Sequence, residues 1–111
     1  MMRSIEVVID NRSKKKIDKI LRKNSDVRIA FNKAVERLRA DYLLGKAVSK
    51  ERFPSEIVKE FHPTNLFVYD LIRSHPGWRM LYTITSEGKV KILVVILAVL
   101  DHHDYDRWFG Y

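Results

Sequence analysis

Residues 78–111 read WRMLYTITSEGKVKILVVILAVLDHHDYDRWFGY, and this stretch decides the fold. Residues 78–85 alternate with a period of two: Trp78, Met80, Tyr82 and Ile84 point one way, and Arg79, Leu81, Thr83 and Thr85 the other. The bulky apolar set belongs under helices, so Arg79 is expected on the opposite, open face. Residues 86–88 make a hairpin turn, and residues 89–100 are an almost unbroken aliphatic run, the mark of a central strand covered on both faces. Four of those twelve residues are Val and two are Ile, which favours a strand over a buried helix. Beyond Leu100 the composition changes at once to Asp101, His102, His103, Asp104, Tyr105, Asp106 and Arg107, so the chain emerges at the surface. Trp108, Phe109 and Tyr111 then turn back onto the domain in a short helix or coil.

Upstream of this stretch, residues 4–10 (SIEVVID) are short, β-branched and apolar, a first strand. Asn11 or Ser13 can cap the helix that follows. Ile17, Ile20 and Leu21 share one face of that helix, with Lys14, Lys15, Lys19, Arg22 and Lys23 elsewhere around it. Asn24, Ser25 and Asp26 stop it and start another. In the second helix Val27, Phe31, Ala34, Val35, Leu38 and Tyr42 recur at three and four, and Gly45 offers a left-handed C-terminal position. Residues 46–63 hold Pro54 and Pro63 and no clear period, a connecting loop with one helical turn at 55–60. Residues 65–72 are a strand by composition, and residues 73–77 (RSHPG) a turn.

The expected architecture is one α+β domain spanning residues 1–111. A first strand and a helical hairpin pack on one face of a twisted, mainly antiparallel four-stranded sheet that ends in a short helix or coil. No cysteine is present, which removes disulfides, thiolate zinc sites and cysteine nucleophiles. The longest apolar run, residues 92–100, is nine residues long, against about 20 for a membrane-spanning helix. A soluble, unprocessed cytoplasmic protein is expected. The net charge of +7 is unevenly placed: residues 1–52 hold 15 Lys/Arg against 7 Asp/Glu, and residues 53–111 hold 6 against 7. A basic N-terminal half suits a polyanion, either nucleic acid or an acidic protein, although a merely solvated helix face has the same composition.

Two places carry candidate chemistry. Imidazole exchanges protons near neutral pH, which singles out His102 and His103, although an ordinary surface role fits them equally. As neighbours in an extended segment they point to opposite faces, so they are a weak metal signal. Arg79 is either a surface cation paired with Asp70 or a phosphate clamp, for which its planar, permanently charged fork is suited. Tyr105, Trp108 and Tyr111 can stack on bases, but Trp108 and Phe109 read better as packing anchors. There is no Gly-rich phosphate loop, nucleophile elbow or zinc-protease motif.

The order of strand, basic helical hairpin and three antiparallel strands resembles the RelE/ParE toxin superfamily across nearly the whole chain. The likeness rests on NLFVYDL (65–71), GWRMLYTI (77–84) and ILAVLDHHDYDRWFGY (96–111). The resemblance implies a ribosome-dependent mRNA endonuclease that inhibits translation, needs no metal or other cofactor, and is neutralised by an acidic antitoxin. Arg79 matches the arginine at the scissile phosphate, His102 or His103 the basic or imidazole group after the last strand, and Tyr105 lies near the terminal aromatic position. With mRNA on the ribosome as substrate, the basic residues Lys14, Lys15, Lys19, Arg22 and Lys23 would meet ribosomal RNA. The implied reaction is attack of a ribose 2′-hydroxyl on the adjacent phosphate.

The chain departs from the family pattern before the turn, where two lysines would fall near Val68 and Asp70. Glu56, Lys59 and Glu60 are the substitutes the sequence offers. The superfamily also contains gyrase inhibitors, so a non-catalytic module that binds an acidic partner is the alternative.

Overall fold

The protein's structure is a computed structural model that describes residues 4–74, 77–87 and 91–111. The aliphatic run forms β5 (Lys91–Asp101), and it lies inside a sheet because both its faces are apolar. β1 (Ser4–Ile9) pairs with it in parallel, from Ser4 opposite Lys91 to Ile9 opposite Ile96. On its other side β4 (Trp78–Glu87), β3 (Phe67–Ile72) and β2 (Lys46–Ala47) follow outward, all antiparallel. The class is α+β as expected, but the sheet is five-stranded and mixed rather than four-stranded. The additional strand, β2, has two residues, too few for any period to show in the sequence.

The helical hairpin is α1 (Asn11–Lys23) and α2 (Ser25–Ala40). Ile17, Val27, Phe31, Ala34 and Leu38 bury one of its faces against Met80, Tyr82, Val94, Ile96 and Val99 of the sheet. Trp78 and Ile84 join this layer, so the expected orientation of β4 holds. The cap of α1 is neither Asn11 nor Ser13. The Asp10 carboxylate accepts from the Arg12 N–H at 2.9 Å, a bond that satisfies one of the helix's first free donors. Ser13 instead turns inward, buried, and its hydroxyl donates to the Leu97 carbonyl at 2.6 Å.

That contact marks a β-bulge. Leu81 stands opposite Ala98 and Tyr82 opposite Ile96, which leaves Leu97 as the additional residue on β5. The bulge shifts the alternation by one. Val94, Ile96 and Val99 lie under the hairpin, whereas Leu97, Ala98 and Leu100 all face the other side. Leu100 therefore pairs with Arg79 on that second face.

The second face is not open. α3 (Ser55–Phe61), a 3₁₀ turn at Lys50–Arg52 and α4 (His102–Phe109) lie over it, and Ile57, Leu66, Leu81, Leu97 and Leu100 form a separate core there. Trp108 and Phe109 pack against this core, as anchors should. The helical turn expected at 55–60 is α3, but its seven residues after Pro54 are too few for a period to show that it covers this face.

Gly45 also differs from expectation. α2 ends at Ala40 with Asp41 as its C-cap, and Gly45 has no positive φ. Its role is close approach, since a Cβ there would come 2.7 Å from the Val68 carbonyl oxygen and 2.8 Å from the Tyr82 hydroxyl. The turns expected at 73–77 and 86–88 lie partly outside the described residues.

Candidate nucleic-acid interface

Alternation along β4 puts Arg79 on the second face, and the strand register sets it directly opposite Asp70 of β3. Its Nε lies 3.1 Å from Asp70 Oδ1, and Arg73, three residues along the chain from Asp70, approaches the other carboxylate oxygen at 3.9 Å. From the other side α4 brings Tyr105, and the guanidinium carbon of Arg79 sits 4.4 Å from that ring's centre. The Arg79 side chain is 31% exposed. Its Nη1 is buried without a hydrogen-bond partner, an arrangement that costs about 1–3 kcal/mol where no acceptor arrives.

These residues line a cleft of about 510 Å³. One wall is the segment holding β2, with Gly45, Lys46 and Ser49; the floor is β3 and β4; the far wall is Tyr105, Phe109 and Tyr111. Lys46, Arg52, Arg73 and Arg79 all reach it, and Asp70 is the carboxylate among its lining residues. The cationic excess together with the exposed Tyr111 ring suits single-stranded nucleic acid, with charge for phosphate and a π-face for a base. Tyr82 holds the β2 wall to the sheet. Its buried hydroxyl accepts from the Gly45 N–H at 2.7 Å and donates to the Tyr42 carbonyl at 3.2 Å.

Protonation limits the roles available. Burial pushes the Tyr105 phenol up from its ordinary value, against the opposing pull of Arg79. Tyr105 is therefore a hydrogen-bond donor at neutral pH and not a base.

Of the residues singled out from sequence, Arg79 and Tyr105 meet in the cleft, while His102 and His103 do not line it. α4 begins at His102, so both imidazoles occupy a first helical turn rather than a strand end. Asp101 starts the helix by accepting from the Asp104 N–H at 2.8 Å. The His102 backbone N–H donates to the carbonyl of Gly77, just before β4, at 2.8 Å, and His103 is exposed. Glu56, Lys59 and Glu60 line a different groove, between α1 and α3, together with Arg12 and Trp108. They are not positioned to substitute for strand residues beside Arg79.

Lys14, Lys15, Lys19, Arg22 and Lys23 are exposed along α1, outside the cleft lining, and form a separate basic surface. Among the described residues no three His, Asp or Glu side chains gather as a metal site, and no helix is long and apolar enough to cross a membrane. Sequence reasoning missed Lys46, Arg52 and Arg73 as cleft residues. Arg73 had a faint signal in its spacing from Asp70; the other two had none. No protein-family model, curated protein or solved structure matches the chain.

Proposed function

We propose that this protein is a toxin-like endoribonuclease of the RelE/ParE kind, which cleaves mRNA on the ribosome with its substrate strand in the Arg79–Tyr105 cleft. The observation that carries the reading is the pairing of Arg79 with Tyr105, 4.4 Å apart, in a cleft with further cations around it. In the reaction a ribose 2′-hydroxyl attacks the neighbouring phosphorus, the P–O5′ bond breaks, and a 2′,3′-cyclic phosphate and a 5′-hydroxyl form. Arg79, 31% exposed in the cleft, stabilises the charge that grows on the non-bridging oxygens. Asp70 is the cleft's carboxylate and takes the 2′-hydroxyl proton. Tyr105, held protonated by burial, donates toward the departing O5′. His102 and His103, to which the family resemblance gives proton exchange, do not line the cleft, and Asp70 and Tyr105 take that part. The basic surface of α1 meets ribosomal RNA, and an acidic antitoxin neutralises the protein by covering its cations.

One observation favours a second reading, a binding module without nuclease activity: Arg79 already spends its Nε on Asp70. Cell-free translation followed by mapping of mRNA ends separates the two. Arrest with new mRNA ends inside the reading frame is the expected result. Arrest with intact mRNA, or no arrest, would favour the binding module.

A further inference from the structure

The cleft holds a second guanidinium–aromatic pair that the reaction above does not use. Arg52, at the end of the 3₁₀ turn, has its guanidinium carbon 5.3 Å from the centre of the Tyr111 ring, and both side chains line the cleft. Tyr111 is 67% exposed, unlike Trp108 and Phe109, which pack against the core. A ring that contributes so little to packing has a face available for a ligand. Arg52 is in no ion pair among the described residues, so its charge is not already met by a carboxylate as that of Arg79 is.

The spacing of the rings indicates what would lie there. Tyr105 and Tyr111 are 6.2 Å apart and tilted by 38°, nearly twice the rise of about 3.4 Å between stacked nucleotides of one strand. A base resting on Tyr111 is therefore set off from the Tyr105 position by more than one stacking step, a geometry open to a single strand and closed to a duplex. Tyr105 has Arg79 over it and Phe109 stacked on it, each at 4.4 Å, so the ring open to a base is the exposed Tyr111, with Arg52 as its phosphate contact.

We infer that Arg52 and Tyr111 form a second nucleotide subsite next to the one at Arg79 and Tyr105, so that the cleft takes a single-stranded RNA run of two or more nucleotides. The inference rests on the reading of this cleft as an RNA site. Phe109, stacked 4.4 Å from Tyr105 and 6.4 Å from Tyr111, braces the two rings as one shelf.

The test is equilibrium binding of a 2′-O-methyl hexanucleotide, which has no 2′-hydroxyl to react, beside uridine 3′-monophosphate. Wild type, Tyr111→Ala, Tyr111→Phe, Arg52→Ala and Arg79→Ala are compared across a salt series. Tyr111→Ala should weaken the hexanucleotide by about 5- to 150-fold, the range for loss of one stacked base, while Tyr111→Phe stays near wild type. Arg52→Ala should lower the slope of log affinity against log salt by about 0.7, the value for one single-strand phosphate. Neither change should alter binding of the mononucleotide, which Arg79→Ala should weaken. Wild-type hexanucleotide binding by Tyr111→Ala and Arg52→Ala, with loss in Arg79→Ala, would overturn the second subsite and leave the first standing. Equal losses for mononucleotide and hexanucleotide would overturn it as well. No binding by wild type, or equal binding by all variants, would overturn both.

Discussion

Replacing Tyr82 with Phe removes one oxygen and tests how the cleft wall is held to the sheet. The ring is fully buried and stacked on Phe67 at 5.3 Å, and Phe keeps that packing. What is lost is the bond from the Gly45 N–H at 2.7 Å and the bond to the Tyr42 carbonyl at 3.2 Å. A buried partner left without its bond costs about 1–3 kcal/mol. The shorter bond, in the crowded space beside Gly45, dominates, so about 2 kcal/mol is expected for the pair. At roughly 4 °C per kcal/mol for a domain of this size, Tm should fall by about 8 °C. Urea unfolding should show a lower midpoint at unchanged slope, because the same surface is buried. Burial also pushes the Tyr82 phenol up from 10.0. Its contribution to stability is whole below the unfolded value and is lost as pH rises through the folded one, so Tyr82→Phe should remove part of the alkaline loss and Tyr105 should supply the rest. A Tm change under about 2 °C with an unaltered alkaline limb would refute the reasoning, since the hydroxyl would then hold nothing.

Three further substitutions probe the frame and the cleft. The hydrogen bond from Arg12 lowers the Asp10 carboxyl from 3.8, so its stabilisation is present above the unfolded value and lost as pH falls through the folded one. Asp10→Asn should keep the helix cap but flatten that acid loss, read as urea midpoints between about pH 5 and pH 2; an unchanged acid limb would count against the pair. Ser13→Ala leaves the bulge carbonyl of Leu97 without its donor and should cost about 1–3 kcal/mol in thermal unfolding, whereas a neutral change would mean the bulge holds without it. Asp70→Asn removes the cleft's negative charge, so single-stranded RNA should bind about threefold tighter, as for one charge a few ångströms off in water. The same variant should cleave about 10²-fold or more slowly, and tighter binding with undiminished cleavage would show that Asp70 takes no proton.

The parts of the fold that the sequence made legible are those with a long, single-valued period. β4 alternates cleanly over residues 78–85, and the α1–α2 hairpin keeps its three-and-four spacing, so the layers and the side of Arg79 could be read directly. The bulge at Leu97 could not, because a run of aliphatic residues looks the same whichever face each one takes. β2 is hidden by its shortness, and the helical turn read at 55–60 is too short to show that α3 covers the second face. The site divides along the same line. Arg79 and its partner Asp70 follow from strand alternation and pairing, but Lys46 and Arg52 sit in a segment whose position only tertiary packing sets. His102 and His103 read as a strand end because nothing in the aliphatic run indicates that Asp101 stops the strand and caps a helix in one step.

The central claim is that Arg79 serves a reacting phosphate and not only its ion pair with Asp70. Purified wild type, Arg79→Ala and Arg79→Lys should be added to programmed ribosomes and the cleaved mRNA quantified, with circular dichroism confirming that each is folded. Cleavage by wild type that drops by on the order of 10²-fold or more in Arg79→Ala, with incomplete recovery in Arg79→Lys, is the expected result. Equal cleavage by a folded Arg79→Ala variant would contradict it.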